Sequence, residues 1–147
     1  MNIPLRVRNL VKRHSTTNPL KIAKYENVDV IQWDLPNAIR GFLVRVLRRK
    51  IIFVNKNLSE LQQLIVICHE LGHAKLHNGY GYYMHADMVY YVSSKREHEA
   101  NEYALNLLLQ SHDIDIPTAT KMIQSVKSDP RIVHKMLCDL VICKSFL

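Results

Sequence analysis

After Ser59 a helix-length segment, ELQQLIVICHELGHAKLH, is apolar nearly all round through Leu61, Leu64, Ile65, Val66, Ile67 and Cys68. It then runs straight into His69-Glu70-Leu71-Gly72-His73. A helix that is apolar on every side is a buried one, so the remaining elements must be arranged around it. Ser59 and Gln62 have the spacing of a capping box at its start, and Asn78-Gly79 supplies a stop. Two histidines and a glutamate on such a helix carry a heavy desolvation cost unless they are hydrogen-bonded or hold a metal.

The spacing favours the metal. Residues four apart on a helix differ by only about 40° in direction and about 6 Å along the axis, so His69 and His73 can face one ion. Glu70 lies about 100° from His69 around the axis, where it flanks the ion without binding it. Its carboxylate is placed to take a proton from a water that the ion acidifies, the division of labour of HExxH zinc peptidases. A catalytic zinc needs a third protein ligand and an open position. His77 lies about 12 Å along the axis from His69, too far to share the ion, and reads as a cation favoured by the helix C-terminus. The HExxHxxGxxH extension is absent, so the third ligand comes from elsewhere. A closed structural zinc site would want a fourth ligand, and Cys68, about 100° off His69, is poorly placed to supply it.

The helix opened by Ser94 offers Glu97, Glu99 and Glu102. Its inner stripe is Ala100, Tyr103, Ala104, Leu107 and Leu108. Glu97 falls about 60° from the stripe centre and Glu99 about 100°, so Glu97 is the best-placed ligand, with Asn101 one turn on to orient it. A competing local use exists, because Ser94-x-x-Glu97 is itself a capping-box pattern.

Around this pair the chain predicts a short helix over 5–14, a second from Asn18-Pro19 to Tyr25, and three strands: 27–33, 39–46 and 50–54, with the turn at 47–49. Short connections suggest a small antiparallel sheet packed against helices, an α+β domain over 1–147 with its core at about 5–110 and a helical C-terminal segment at 111–147. Apolar residues at 48% and charged residues at 22% are ordinary for one globular domain of this length. Three cysteines without a CxxC pair argue for a reducing compartment, and the N-terminus lacks a secretory apolar stretch. No run approaches the roughly 20 residues of a membrane span. The reading is cytoplasmic, with no membrane association. The formal charge of +7 comes without a nucleic-acid motif, so direct nucleic-acid binding is not expected.

The chain resembles the ImmA/IrrE metallopeptidase family. The likeness runs through Asn18-Pro19 with Ile22-Ala23, Leu35-Pro36, Ile39-Arg40-Gly41-Phe42 and Ile51-Ile52-Phe53-Val54-Asn55. It continues in His69-Glu70-Leu71-Gly72-His73-Ala74-Lys75-Leu76-His77 and closes with Glu97-His98-Glu99-Ala100-Asn101-Glu102-Tyr103-Ala104, similar to the family's ExxANxFA element. The resemblance implies a zincin-like core, Zn²⁺ held by His69, His73 and Glu97 (with Glu99 as the fallback), and Glu70 as general base. It also implies an anti-repressor of phages and mobile elements, whose partner is a helix-turn-helix transcriptional repressor that it cleaves. A module that binds such a regulator without cleaving it is the alternative. Cys68, Tyr103 and the proline-free Leu107-Leu108-Leu109-Gln110 depart from the family's usual residues. An oxyanion partner is sought among the tyrosines of 80–91.

Overall fold

Asn2 and Asn18 each precede a helix with proline in its first turn. Each turns its side chain onto free backbone N–H groups, at Leu5 (3.1 Å) and at Leu20 (3.0 Å), the donors that a helix start leaves unpaired. The helices so begun are α1 (Ile3–His14) and α2 (Pro19–Tyr25). Both halves of the Ser59/Gln62 capping box form at the head of α3 (Glu60–Leu76). Two further helices follow, α4 (Ser94–Ser111) and α5 (Ile116–Gln124). This computed structural model describes residues 1–78, the backbone of 82–83, and residues 94–111, 114–124, 131–133 and 135–137.

The strands are β1 (Val28–Trp33), β2 (Gly41–Val46), β3 (Arg49–Asn55) and the two-residue β4 (Tyr82–Tyr83), in the order β1-β3-β2-β4. The α+β class holds, but the sheet is mixed rather than antiparallel. β2 and β3 form the expected antiparallel hairpin, while β1 pairs with β3 in parallel and β4 with β2 in parallel. The strands do run up, down and up as a meander would. What differs is adjacency, because β3 inserts between β1 and β2. The segment 34–40 is no tight turn; it spans the width of the intervening strand, about 10 Å between β1 and β2. Asn55, buried at the end of β3, holds that segment: its amide donates to the carbonyls of Leu35 (3.1 Å), Pro36 (3.3 Å) and Ile39 (3.0 Å).

Alternation along the strands then divides the core into two layers. Leu43, Ile52 and Val54 face α1–α4 and join Val7, Leu10, Ile22, Ile65, Leu71 and Leu107. Phe42 and Val44 face the other way, against Leu35, Ile39, Val133 and Leu137. Val133 and Leu137 of the C-terminal segment therefore pack on the far face of the sheet from α3, while Ala119 and Ile123 of α5 join the α3 layer. Gly41 permits the close seating of α3 on β2: a Cβ there would lie 2.4 Å from Val66 Cγ1 and 2.7 Å from the Phe53 carbonyl oxygen. Gly41→Ala is expected to cost roughly 1–3 kcal/mol of stability, seen as a lower urea midpoint at unchanged slope.

Glu26, the C-cap of α2, ties three helices together. Its carboxylate meets Lys75 Nζ at 3.0 Å, His14 Nε2 at 3.3 Å and Arg13 at 3.5 Å. Burial alone would raise its pKa, but Lys75 and then His14 outweigh burial and hold it below the usual carboxylate range. A pKa depressed by folding gives stability that is present above the ordinary carboxylate pKa and is lost as pH falls through the folded value. Glu26→Gln is therefore expected to cost on the order of 1 kcal/mol at pH 7, and the gap between the two proteins should close in acid. Urea melts at pH 7 and pH 3 measure it; a gap independent of pH would count against the ion-pair account.

Candidate metal centre

α3 carries its polar residues in its second half, where it passes under α4. The crossing is close because position 72 has no side chain. A Cβ on Gly72 would sit 3.1 Å from Tyr103 Cβ and 3.3 Å from Ala100 Cα, so the glycine between the two histidines sets how near α4 can come. The C-terminal end of α3 is tied to the sheet by two cross-strand neighbours, Arg45 and Lys50. Arg45 donates to the His77 carbonyl at 3.1 Å and Lys50 to the Ala74 carbonyl at 2.9 Å. Two members of the basic cluster at 45–50 thus serve the helix terminus, where cations are favoured, and Arg49 pairs with Asp29.

Across this crossing Glu97 of α4 meets both histidines of α3. Its two carboxylate oxygens divide between them: Oε1 lies 2.9 Å from His73 Nε2 and Oε2 lies 3.3 Å from His69 Nε2. One ligand atom from each of the three residues falls within 4.8 Å of the others. The two imidazoles stand edge to face, with ring centroids 4.8 Å apart. Both carboxylate oxygens are thus turned on the histidines. Two imidazole nitrogens and a carboxylate oxygen on one side of a crossing are a donor set that suits zinc.

The electrostatics of the group are those of a buried site. His73 is fully buried, and burial drives its pKa down to about 4 against the pull of Glu97. His69 moves the other way: burial opposes its charged form, but Glu97 and Glu70 outweigh burial and raise its pKa. Burial likewise opposes the Glu97 carboxylate, and His69 and His73 override it, holding Glu97 well below the usual range. Glu70, 8% exposed, is pushed up to about 7 by burial, with His69 pulling it down and Glu97 adding to the rise. Cys68 is buried and apolar in its surroundings, its thiol pushed up to about 12 by burial, an inert core residue and not a ligand.

Two sequence expectations need correction or refinement here. His77 is not a helix-end cation. It is 6% exposed, and burial lowers its pKa despite the opposing Glu99, so it is neutral at pH 7. Arg45 and Lys50 occupy the role it was given. Glu99 faces His77, at 3.4 Å from its Nε2, and not the His69/His73 pair; Glu97 occupies that place. Gly72 reads in the motif as a spacer, but a glycine in a helix interior is also a signal of close approach. Of the tyrosines, Tyr80, Tyr90 and Tyr91 lie outside the described residues, and only the backbone of Tyr82 and Tyr83 is described.

Comparison with known proteins identifies the family. The family model of Peptidase M78, the IrrE N-terminal-like domain, matches residues 23–127. The chain is 39% identical over 103 residues to an immunity region protein of Bacillus phage phi105, covering 70% of this chain and 65% of that protein. It is 30% identical over 106 residues to the metallopeptidase ImmA of Bacillus subtilis (strain 168), covering 71% of this chain and 61% of that protein. The matched region spans under two thirds of each of these relatives. No solved structure matches the chain. The matched segment contains α3 and α4 entire, with His69, Glu70, His73 and Glu97, and the chain belongs to the peptidase family of IrrE N-terminal-like domains.

Proposed function

We propose that residues 1–147 form one zinc-dependent endopeptidase domain that makes a site-specific cut in a cytoplasmic helix-turn-helix repressor, as the anti-repressor of a phage or mobile element. The observation that carries the reading is the Glu97 carboxylate divided between His69 and His73, with buried Glu70 one residue from His69. The names of the two relatives, an immunity region protein and a metallopeptidase, favour the same role. Among the described residues no helix is long and apolar enough to cross a membrane.

His69, His73 and Glu97 would hold the ion. Bound there, zinc polarises a carbonyl and lowers the pKa of water. Glu70 takes the proton of the attacking water and hands it to the leaving amine. Its burial favours both steps, because a carboxylate pushed toward neutral pH accepts and releases a proton readily. His73, kept neutral by burial, offers a lone pair without first losing a proton.

Elemental analysis of protein purified without chelator is expected to find about one zinc per chain. Incubation with its helix-turn-helix repressor substrate should then give a single cut that chelation stops and zinc restores. A folded protein that takes up no zinc would sink the reading.

A further inference from the structure

We propose that His77, backed by Glu99, is a positioning residue for His73: it accepts the Nδ1–H of His73 and so commits the Nε2 lone pair of His73 to the metal. The inference rests on the zinc reading above and adds His77 and Glu99, which that reading does not use.

His73 and His77 meet through their Nδ1 atoms at 2.9 Å, in a buried contact. Two imidazole nitrogens at that distance require one N–H and one lone pair. Glu97 Oε1, 2.9 Å from His73 Nε2, would by itself favour a hydrogen on that nitrogen; when Nε2 gives its lone pair to a metal instead, a neutral His73 carries its hydrogen on Nδ1 and His77 must accept it. His77 Nε2 faces Glu99 Oε1 at 3.4 Å. That is longer than a well-formed hydrogen bond, and its force is electrostatic: a carboxylate favours the imidazole that turns N–H, not a lone pair, toward it. A neutral His77 with its hydrogen on Nε2 has a lone pair on Nδ1. It must then accept, and His73 must donate from Nδ1. A neutral His73 with its hydrogen on Nδ1 has its lone pair on Nε2, the atom that faces Glu97 and the site. Glu99 thus favours, in both rings, the proton positions that metal binding at His73 Nε2 requires, against the pull of Glu97 on that nitrogen.

The backbone shows why the second ring can reach the first. His77, the C-cap of α3, lies four residues after His73 and so shares its side of the helix. Its N–H is held by the His73 carbonyl at 3.0 Å and its carbonyl by Arg45 at 3.1 Å. The rings lie 5.1 Å apart at 49°. Anchored at both backbone groups and buried, His77 is fixed before any ligand arrives. Metal-binding histidines commonly direct their second nitrogen at a carboxylate or a carbonyl, and losing that partner costs about 10–100-fold in metal affinity. Here an imidazole from the same helix stands between the ligand and the carboxylate.

The test is Zn²⁺ affinity of the full chain by competition with a chromophoric chelator, for wild type, His77→Phe, His77→Gln and Glu99→Ala. His77→Phe keeps a ring but no acceptor and is expected to bind zinc about 10–100-fold more weakly. Glu99→Ala should lose less, and His77→Gln, whose amide oxygen accepts, should recover part of the loss. Imidazole ¹⁵N NMR of zinc-loaded wild type should show His73 protonated at Nδ1 and metal-bound through Nε2, which decides the matter even if the His77 variants fail to fold. Affinities of His77→Phe and Glu99→Ala within about twofold of wild type, set against that 10–100-fold expectation, would overturn the positioning role. So would His73 bound through Nδ1. Either outcome leaves the zinc site standing, whereas wild type that takes up no zinc removes both.

Discussion

Glu97→Ala is expected to lose zinc. The variant leaves His69 and His73 as two neutral donors, with no charge to set against a dication, and affinity should fall by more than the roughly 100-fold seen when only a supporting contact is lost. The fold should survive. The Glu97 side chain is 22% exposed at the edge of the α3–α4 crossing, and the apolar stripe of α4, from Ala100 to Leu108, is untouched. Removing the carboxylate also leaves no stranded buried cation, because burial keeps His73 neutral at pH 7 and His69 loses the main group that raised its pKa. A ligand that binds only the folded state raises stability by about 2.7 kcal/mol at 100 times its dissociation constant. Added zinc should therefore raise the melting temperature of wild type by several degrees and leave Glu97→Ala unmoved. An equal zinc-induced shift in both proteins would remove Glu97 from the ligand set and reopen the question of Glu99, which faces His77 in this structure.

Glu70→Gln should abolish hydrolysis while sparing the metal. The amide matches the carboxylate in size, so a side chain that is buried to 8% exposure keeps its packing. It cannot accept the proton of water, and loss of a positioned acid–base group costs about 10²–10⁴ in rate. Zinc content should remain near one per chain, because Glu70 is outside the three-residue donor cluster. Cleavage of the repressor by wild type but not by the variant, with both proteins still binding the repressor, supports the peptidase. The variant cutting at the wild-type rate would dismiss Glu70 as the base. If neither protein cuts and both hold the repressor equally well, the domain is a binding module that has kept the family's fold.

Much of this molecule was legible in its local patterns. The Asn18-Pro19 helix start, the Ser59/Gln62 capping box and the HExxH turn all appear where the residues place them. Each involves groups no more than four positions apart, whose relative geometry follows from the helix itself. The helical wheel also ranked Glu97 above Glu99, because it asks only which side of α4 is apolar. The β2–β3 hairpin was visible for the same reason, as two apolar, strand-like runs on either side of a short turn.

Other features belong to the tertiary structure alone. That β3 lies between β1 and β2 depends on where segment 34–40 can be anchored, and the anchor is Asn55, far along the chain. That Arg45 and Lys50 close the end of α3 depends on strand register. That Gly72 admits Tyr103 depends on how two helices cross. His77 shows the limit most clearly. Its spacing from His73 was plain and puts it out of reach of an ion held by His69, but only the burial at the helix end and the neighbouring Glu99 make it a neutral partner of His73. Sequence determined which residues share a helix face; long-range packing decided which faces meet, because contacts between distant segments are set by the whole core and not by any local period.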